Sequence, residues 1–208
     1  MELLRTNFKE KFLLCSFLLW SSLSFSQGED LFNSLRQETV KDESLIPNRM
    51  IFTQRALWGN NGLMRKLGIF PLNVEQREKE LKLRRSMLKI HQIIGYLTFA
   101  GMLTQGFLGG KLYNNWERGL YKTHKTVGNL TSISYFTGAG LSLFAPPPLT
   151  NKKRKGLSSI KAHKYLASVH FSAMLATNIY KNRNKQVHKI SAYTAVGSFA
   201  AAILVFKF

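Results

Sequence analysis

The chain has 208 residues, enough for one domain with an appendage. Its formal charge of +19 is uneven: ten of the 11 acidic residues precede Lys89, and only Glu117 follows it. The Lys and Arg residues cluster at the ends of apolar stretches, which argues against a nucleic-acid partner and for anionic lipid headgroups, while the lone Cys15 excludes a disulfide framework or thiolate metal site.

Residues 1–26 read as a secretory signal peptide. Arg5, Lys9 and Lys11 make a basic start, 12–20 a short apolar core, and 21–27 a small, polar end. The apolar core is too short for a comfortable membrane span, and an uncleaved anchor is the alternative. Residues 27–85 form a mixed extension. Within it, 50–58 and 63–70 carry apolar residues at roughly helical spacing with Arg and Lys between them. They suit short helices at a membrane surface, or equally a small helical cap. Gly59-Asn60-Asn61-Gly62 and Pro71 are turn signals. Asn73, with Gln76 three residues on, predicts a helix start. The Glu-, Lys-, Leu- and Arg-rich stretch 74–89 should run on from there as one long helix into the first apolar segment.

Residues 86–208 hold four apolar segments, 90–110, 126–145, 165–180 and 190–206. The first two are near the length that crosses a bilayer, and the last two need flanking His and Lys residues to snorkel. Connections at 111–125 and 181–189 are short, Pro146-Pro147-Pro148 ends the second segment, and 151–155 is a basic loop. Short links join antiparallel neighbours, so the expected fold is all-α: an integral membrane up-down four-helix bundle behind a signal peptide and a short helical extension. Frequent Gly, Ala, Ser and Thr suit close helix packing in lipid.

One phrase recurs at the start of each segment. His91, His124, His163 and His188 each have Lys or Gln two residues before, Lys or Gln just after, and a small residue four after: Gly95, Gly128, Ala167 and Ala192. On a helix the fourth residue on shares the histidine's face. If the helices alternate in direction, His91 and His163 lie at one membrane face and His124 and His188 at the other. Each pair then sits on diagonal helices and could clamp a haem axially, with the small neighbours leaving room for the porphyrin. Zinc or iron sites usually recruit carboxylates or cysteines, which this half lacks beyond Glu117. The same lack removes paired-carboxylate hydrolysis and a Ser-His-Asp triad. His170 lies two turns beyond His163 on the same face. It is a candidate third-helix ligand in place of His163, a propionate partner, or a neutral core histidine. The competing reading of the whole pattern is a haem-free structural or interaction-type membrane protein with interfacial histidines.

Through His91 with Gly95, His124 with Gly128, His163 with Ala167 and His188 with Ala192, residues 86–208 resemble the cytochrome b561 family and its small bacterial relatives. The resemblance implies two b-type haems, bis-histidine iron ligation, a bacterial inner-membrane location and electron transfer of the membrane-oxidoreductase kind. The chain has four core segments where better-known members have six. It carries no ascorbate or ferric-reductase signature, so donor and acceptor stay unassigned. A signal peptide places the extension in the periplasm, whereas the excess of Lys and Arg at the His91 end points the other way under the positive-inside rule.

Overall fold

The computed structural model describes residues 45–149 and 158–207. The expected signal peptide, the first part of the extension and the basic loop 151–155 lie outside the described residues. Those described are helical, with no strand among them. Two short helices, α1 (Phe52–Trp58) and α2 (Leu63–Lys66), precede four long ones: α3 (Val74–Asn114), α4 (Arg118–Leu143), α5 (Ser159–Tyr180) and α6 (Lys185–Lys207).

Helix α3 starts as its sequence predicts. The Asn73 side chain accepts a hydrogen bond from the Gln76 backbone N–H at 2.9 Å, satisfying one of the orphan donors of the first turn. The helix then runs unbroken past residue 85 to Asn114, so the extension and the first apolar segment share one rod. Its far end overshoots the apolar segment, leaving only Asn115, Trp116 and Glu117 as the link to α4. Helix α2 is shorter than the 63–70 pattern suggests. Gly68 adopts φ +68°, a left-handed conformation that suits glycine, and ends it.

The four long helices pack antiparallel in a ring. From one end of the α3–α4 pair to the other, Gly109 faces His124, Gly101 faces Thr131, the Thr98 and Ser134 hydroxyls are 2.8 Å apart, and His91 meets Gly138. Rising numbers on α3 thus meet falling numbers on α4. The same reversal joins α4 to α5 through Phe136–Phe171 and Ser132–Asn178, and α5 to α6 through His163–Ala202 and Thr177–Ser191. Phe99–Phe199 and Lys189 over the Tyr113 ring close α6 onto α3. Contacts of His124 with His188 and of Tyr135 with Phe199 cross the ring diagonally, from α4 to α6. The core centres on Met102, Tyr135 and Met174.

By length and composition one described helix, at Lys185–Val205, is apolar enough to cross a membrane. The other three long helices carry more polar side chains, several of them turned inward: Thr98, Thr131 and His170 are buried.

The extension is latched to the end of α4. Trp58 Nε1–H donates to the Phe144 carbonyl (2.9 Å), Gln54 Nε2 to Ala145 (3.2 Å) and Thr53 Oγ1 to Leu143 (2.6 Å). These are carbonyls that a helix C-terminus leaves without intrahelical partners. Beneath them Glu80, fully buried, pairs with both Arg65 and Arg77. Arg77 also donates to Leu45 (2.9 Å) and Pro147 (3.2 Å), and Arg84 to Pro146 (2.6 Å). Burial, reinforced by the Arg77 charge, holds the Arg84 guanidinium below its ordinary pKa. These contacts fit the cap reading of this segment, while the exposed Phe52, Leu67 and Ile69 fit the membrane-surface reading.

Candidate functional site

Each of the four repeated histidines is carried a turn or more into its helix, and each packs against the far end of the neighbouring helix. His91 Nδ1–H donates to the Gly138 carbonyl of α4 at 2.8 Å. His163 Nδ1–H donates to Ala202 of α6 at 3.2 Å, and His188 Nδ1–H to Thr177 of α5 at 2.8 Å. A carbonyl can only accept, so a proton sits on Nδ1 in all three, and in the neutral ring Nε2 then carries the lone pair. That is the arrangement in which metal-ligating imidazoles are held, with the outer N–H anchored and the inner nitrogen a donor.

His124 is different. Its Nδ1 is buried and has no hydrogen-bond partner among the described residues. The ring lies instead against Gly109, where an added Cβ would sit 3.2 Å from its Cε1. The nearby Gln105 amide is spent on the His124 backbone carbonyl, to which Nε2–H donates at 3.0 Å.

His124 and His188 face each other with ring centroids 6.3 Å apart and planes at 87°. A metal–imidazole bond is about 2.0–2.1 Å and the ring centre lies roughly 1.1 Å behind the nitrogen, so two imidazoles sharing one metal have centroids about 6.3 Å apart. At the other end His163 lies within electrostatic reach of His91, and His170 within reach of both. Among the described residues no group of three or more His, Cys, Asp or Glu gathers as an ion cage, so pairs are the unit.

The small residues beside the histidines divide. Gly95 shares a helix face with His91 and the buried Thr98 and Met102, and a Cβ added there would meet nothing within 4 Å. This is open space on the helix face that His91 shares. Gly128 is not beside such a space, since its Cβ direction is taken by Gln105 Oε1 at 3.2 Å. Glycine there admits the amide that bonds the His124 carbonyl.

His170 is buried between the two ends. Its Nδ1 lies 2.6 Å from the Tyr135 hydroxyl, and its ring centroid 5.0 Å from that of Phe199. Tyr135, Gln105, Gly109 and Gly138 are therefore parts of the site that the repeat does not reveal. The available signal was small residues, Gly109-Gly110 and Gly138-Ala139-Gly140, near the C-terminal ends of the helices opposite His124 and His91.

No family model matches the chain, and neither a curated protein nor a solved structure matches it.

Proposed function

We propose that the chain is a four-span integral membrane cytochrome of the b type that carries electrons across the bilayer. In this reading His124 and His188 hold one haem, and His91 and His163 hold a second at the opposite end. The observation that carries it is the His124–His188 pair: two imidazoles on diagonal helices at bis-imidazole spacing. The Nδ1–carbonyl bonds of His91, His163 and His188 and the open space at Gly95 support it further. The donor set fits as well, since two neutral nitrogens per iron suit a haem that stays six-coordinate. The haems would supply reversible one-electron chemistry. The protein's own part is to fix ring orientation and tautomer, and to keep water from the interior.

The four-span reading rests on an apolar exterior around a core that admits hydrogen-bonded polar side chains beside Met102, Tyr135 and Met174. Between residues 90–110, 126–145, 165–180 and 190–206 there is no Asp, Glu, Lys or Arg. The side chains exposed on these stretches include Leu97, Phe107, Leu130, Ile133, Tyr165 and Leu204, while Thr98, Thr131 and Ser191 are buried. Outward hydroxyls satisfy themselves on the preceding turn: Thr104 donates to Ala100, Ser168 to Lys164 and Thr194 to Ile190. An apolar exterior around an interior whose polar groups are hydrogen-bonded is what a lipid solvent selects.

His163 is preferred over His170 as the third-helix ligand. Its Nδ1 bond to a backbone carbonyl repeats that of His91 and His188, whereas His170 bonds a side chain. The test is visible absorbance of the detergent-purified protein after haem-replete expression. A Soret band with two haems per chain is expected. His91→Ala and His163→Ala should each remove the same haem, His124→Ala and His188→Ala the other, and His170→Ala neither. Absence of any Soret band would leave the interfacial-anchor reading in place of this one.

A further inference from the structure

The two ends are not equivalent, and the difference lies in one atom. We infer that the unanchored His124 ring makes the His124–His188 end the electron-accepting end, so that electrons run towards it from the His91–His163 end. The inference rests on the dihaem reading above.

At the His91–His163 end both imidazoles donate Nδ1–H to a backbone carbonyl, Gly138 and Ala202 respectively. Drawing the proton towards an acceptor leaves the ring more electron-rich at Nε2, hence a more basic ligand. A more basic axial ligand favours the oxidised iron and lowers the potential of the group it holds, through second-shell hydrogen bonding. At the other end only His188 has this support, from Thr177. His124 Nδ1 is buried away from water and has no acceptor among the described residues. The ring is turned towards Gly109, which offers no side chain to accept from it. His124 is therefore the poorest donor of the four, and the end it serves takes the higher potential. A Gly at 109 thus does two things: it admits the ring and withholds an acceptor.

The same position supplies the test. A Cβ built at Gly109 would lie 3.2 Å from Cε1 and 3.8 Å from Nδ1 of His124, so a serine hydroxyl there can reach Nδ1. Gly109→Ser adds volume and an acceptor, and Gly109→Ala adds volume alone. Spectroelectrochemical titration of the full chain in detergent should resolve two midpoint potentials, and His91→Ala and His188→Ala, each keeping one haem, assign them. The higher midpoint is expected in the haem that survives His91→Ala. Gly109→Ser should move that midpoint down relative to Gly109→Ala and leave the lower one in place. Two haems with coincident or reversed midpoints would overturn the inference and leave the dihaem reading standing, as would identical shifts in the Ser and Ala variants. If the Ser variant binds no haem at that end, the wild-type order of midpoints decides alone. Absence of a Soret band in the wild type would remove both readings together.

Discussion

Replacing Glu80 by Gln isolates the force that holds the extension to the long helices. Glu80 is fully buried and is the only carboxylate paired with Arg65 and Arg77 among the described residues, themselves 6% and 2% exposed. Removing one partner of a buried pair costs about 3–5 kcal/mol, because the remaining charge stays desolvated. Two features set where in that range this site falls. Two cations are stranded rather than one, which raises the cost. Both also retain carbonyl acceptors, Phe70 and Trp58 for Arg65 and Leu45 and Pro147 for Arg77, which lowers it. The lower end, about 3 kcal/mol, is therefore expected, and at about 1.4 kcal/mol per tenfold it raises the population of the released extension roughly 100-fold. Limited trypsinolysis of the native protein in detergent reads that population when release and reclosure are fast against cleavage. Cleavage after Arg55 and Lys66 should accelerate by about that factor, with cleavage elsewhere unchanged. Glu75→Gln is the internal control. It breaks the Glu75–Lys79 pair at 2.8 Å, whose side chains are 74% and 54% exposed, and should leave the rate where it was. Acceleration of Glu80→Gln by less than about fivefold, or an equal effect of Glu75→Gln, would refute the reasoning, since about 1 kcal/mol is a surface-pair value.

Three further outcomes follow from packing and polarity. Gly101→Ala should destabilise the α3–α4 pair by about 1–3 kcal/mol before helix propensity is credited, because the new Cβ would lie 2.5 Å from Thr131 Oγ1. Gly106→Ala meets nothing within 4 Å and should be neutral or gain up to about 1 kcal/mol; thermal unfolding in one detergent compares the two. On the proposed dihaem reading, Gly95→Leu should fill the open space on the His91 face and lower haem content at that end only, whereas Gly128→Leu should displace Gln105 from the His124 carbonyl and act at the other; the spectra of the variants distinguish them. Tyr135→Phe leaves buried His170 without its 2.6 Å partner and should cost about 1–3 kcal/mol, while His170→Phe/Tyr135→Phe recovers part of it, measured by the same unfolding assay.

What could be read from the sequence was what depends on near neighbours. The Asn73 cap, the unbroken passage of 74–89 into the apolar stretch, and the turn at 59–62 are local matters of propensity and spacing. The histidine pairing was legible for a related reason. Each His opens an apolar run, so its end of the fold follows from helix direction alone, and the contact of His124 with His188 across the ring agrees with the expected diagonal. The helix ends were misjudged because Lys111, Tyr113 and Asn114 lie beyond the apolar boundary yet continue α3, where polarity says nothing against a helix. The charges of the extension were misleading in the opposite sense. Arg77 and Glu80 read only as good helix formers and Arg65 only as a charge between apolar residues, whereas Arg77 is buried on partners from Leu45 and Pro147, far along the chain.

The supporting groups of the site were invisible for the same reason as the latch. A backbone carbonyl has no sequence signature, so neither the Gly138–His91 bond nor the Thr177–His188 bond could be foreseen from residue type. The four histidines are alike in sequence and unlike in support, and the asymmetry arises where a helix from elsewhere happens to offer a carbonyl or a glycine. A repeated motif therefore specifies which residues meet, while the end of the neighbouring helix sets how strongly each one can donate. The latch bears on this through α4. Thr53, Gln54 and Trp58 hold the carbonyls of Leu143, Ala145 and Phe144, and the same helix, little more than a turn earlier, carries the Gly138 carbonyl that anchors His91. Fixing the end of α4 fixes that carbonyl, and with it the tautomer of the ring it holds. The extension thereby helps to fix the orientation of the His91 ring through α4, without touching that ring in any of these bonds.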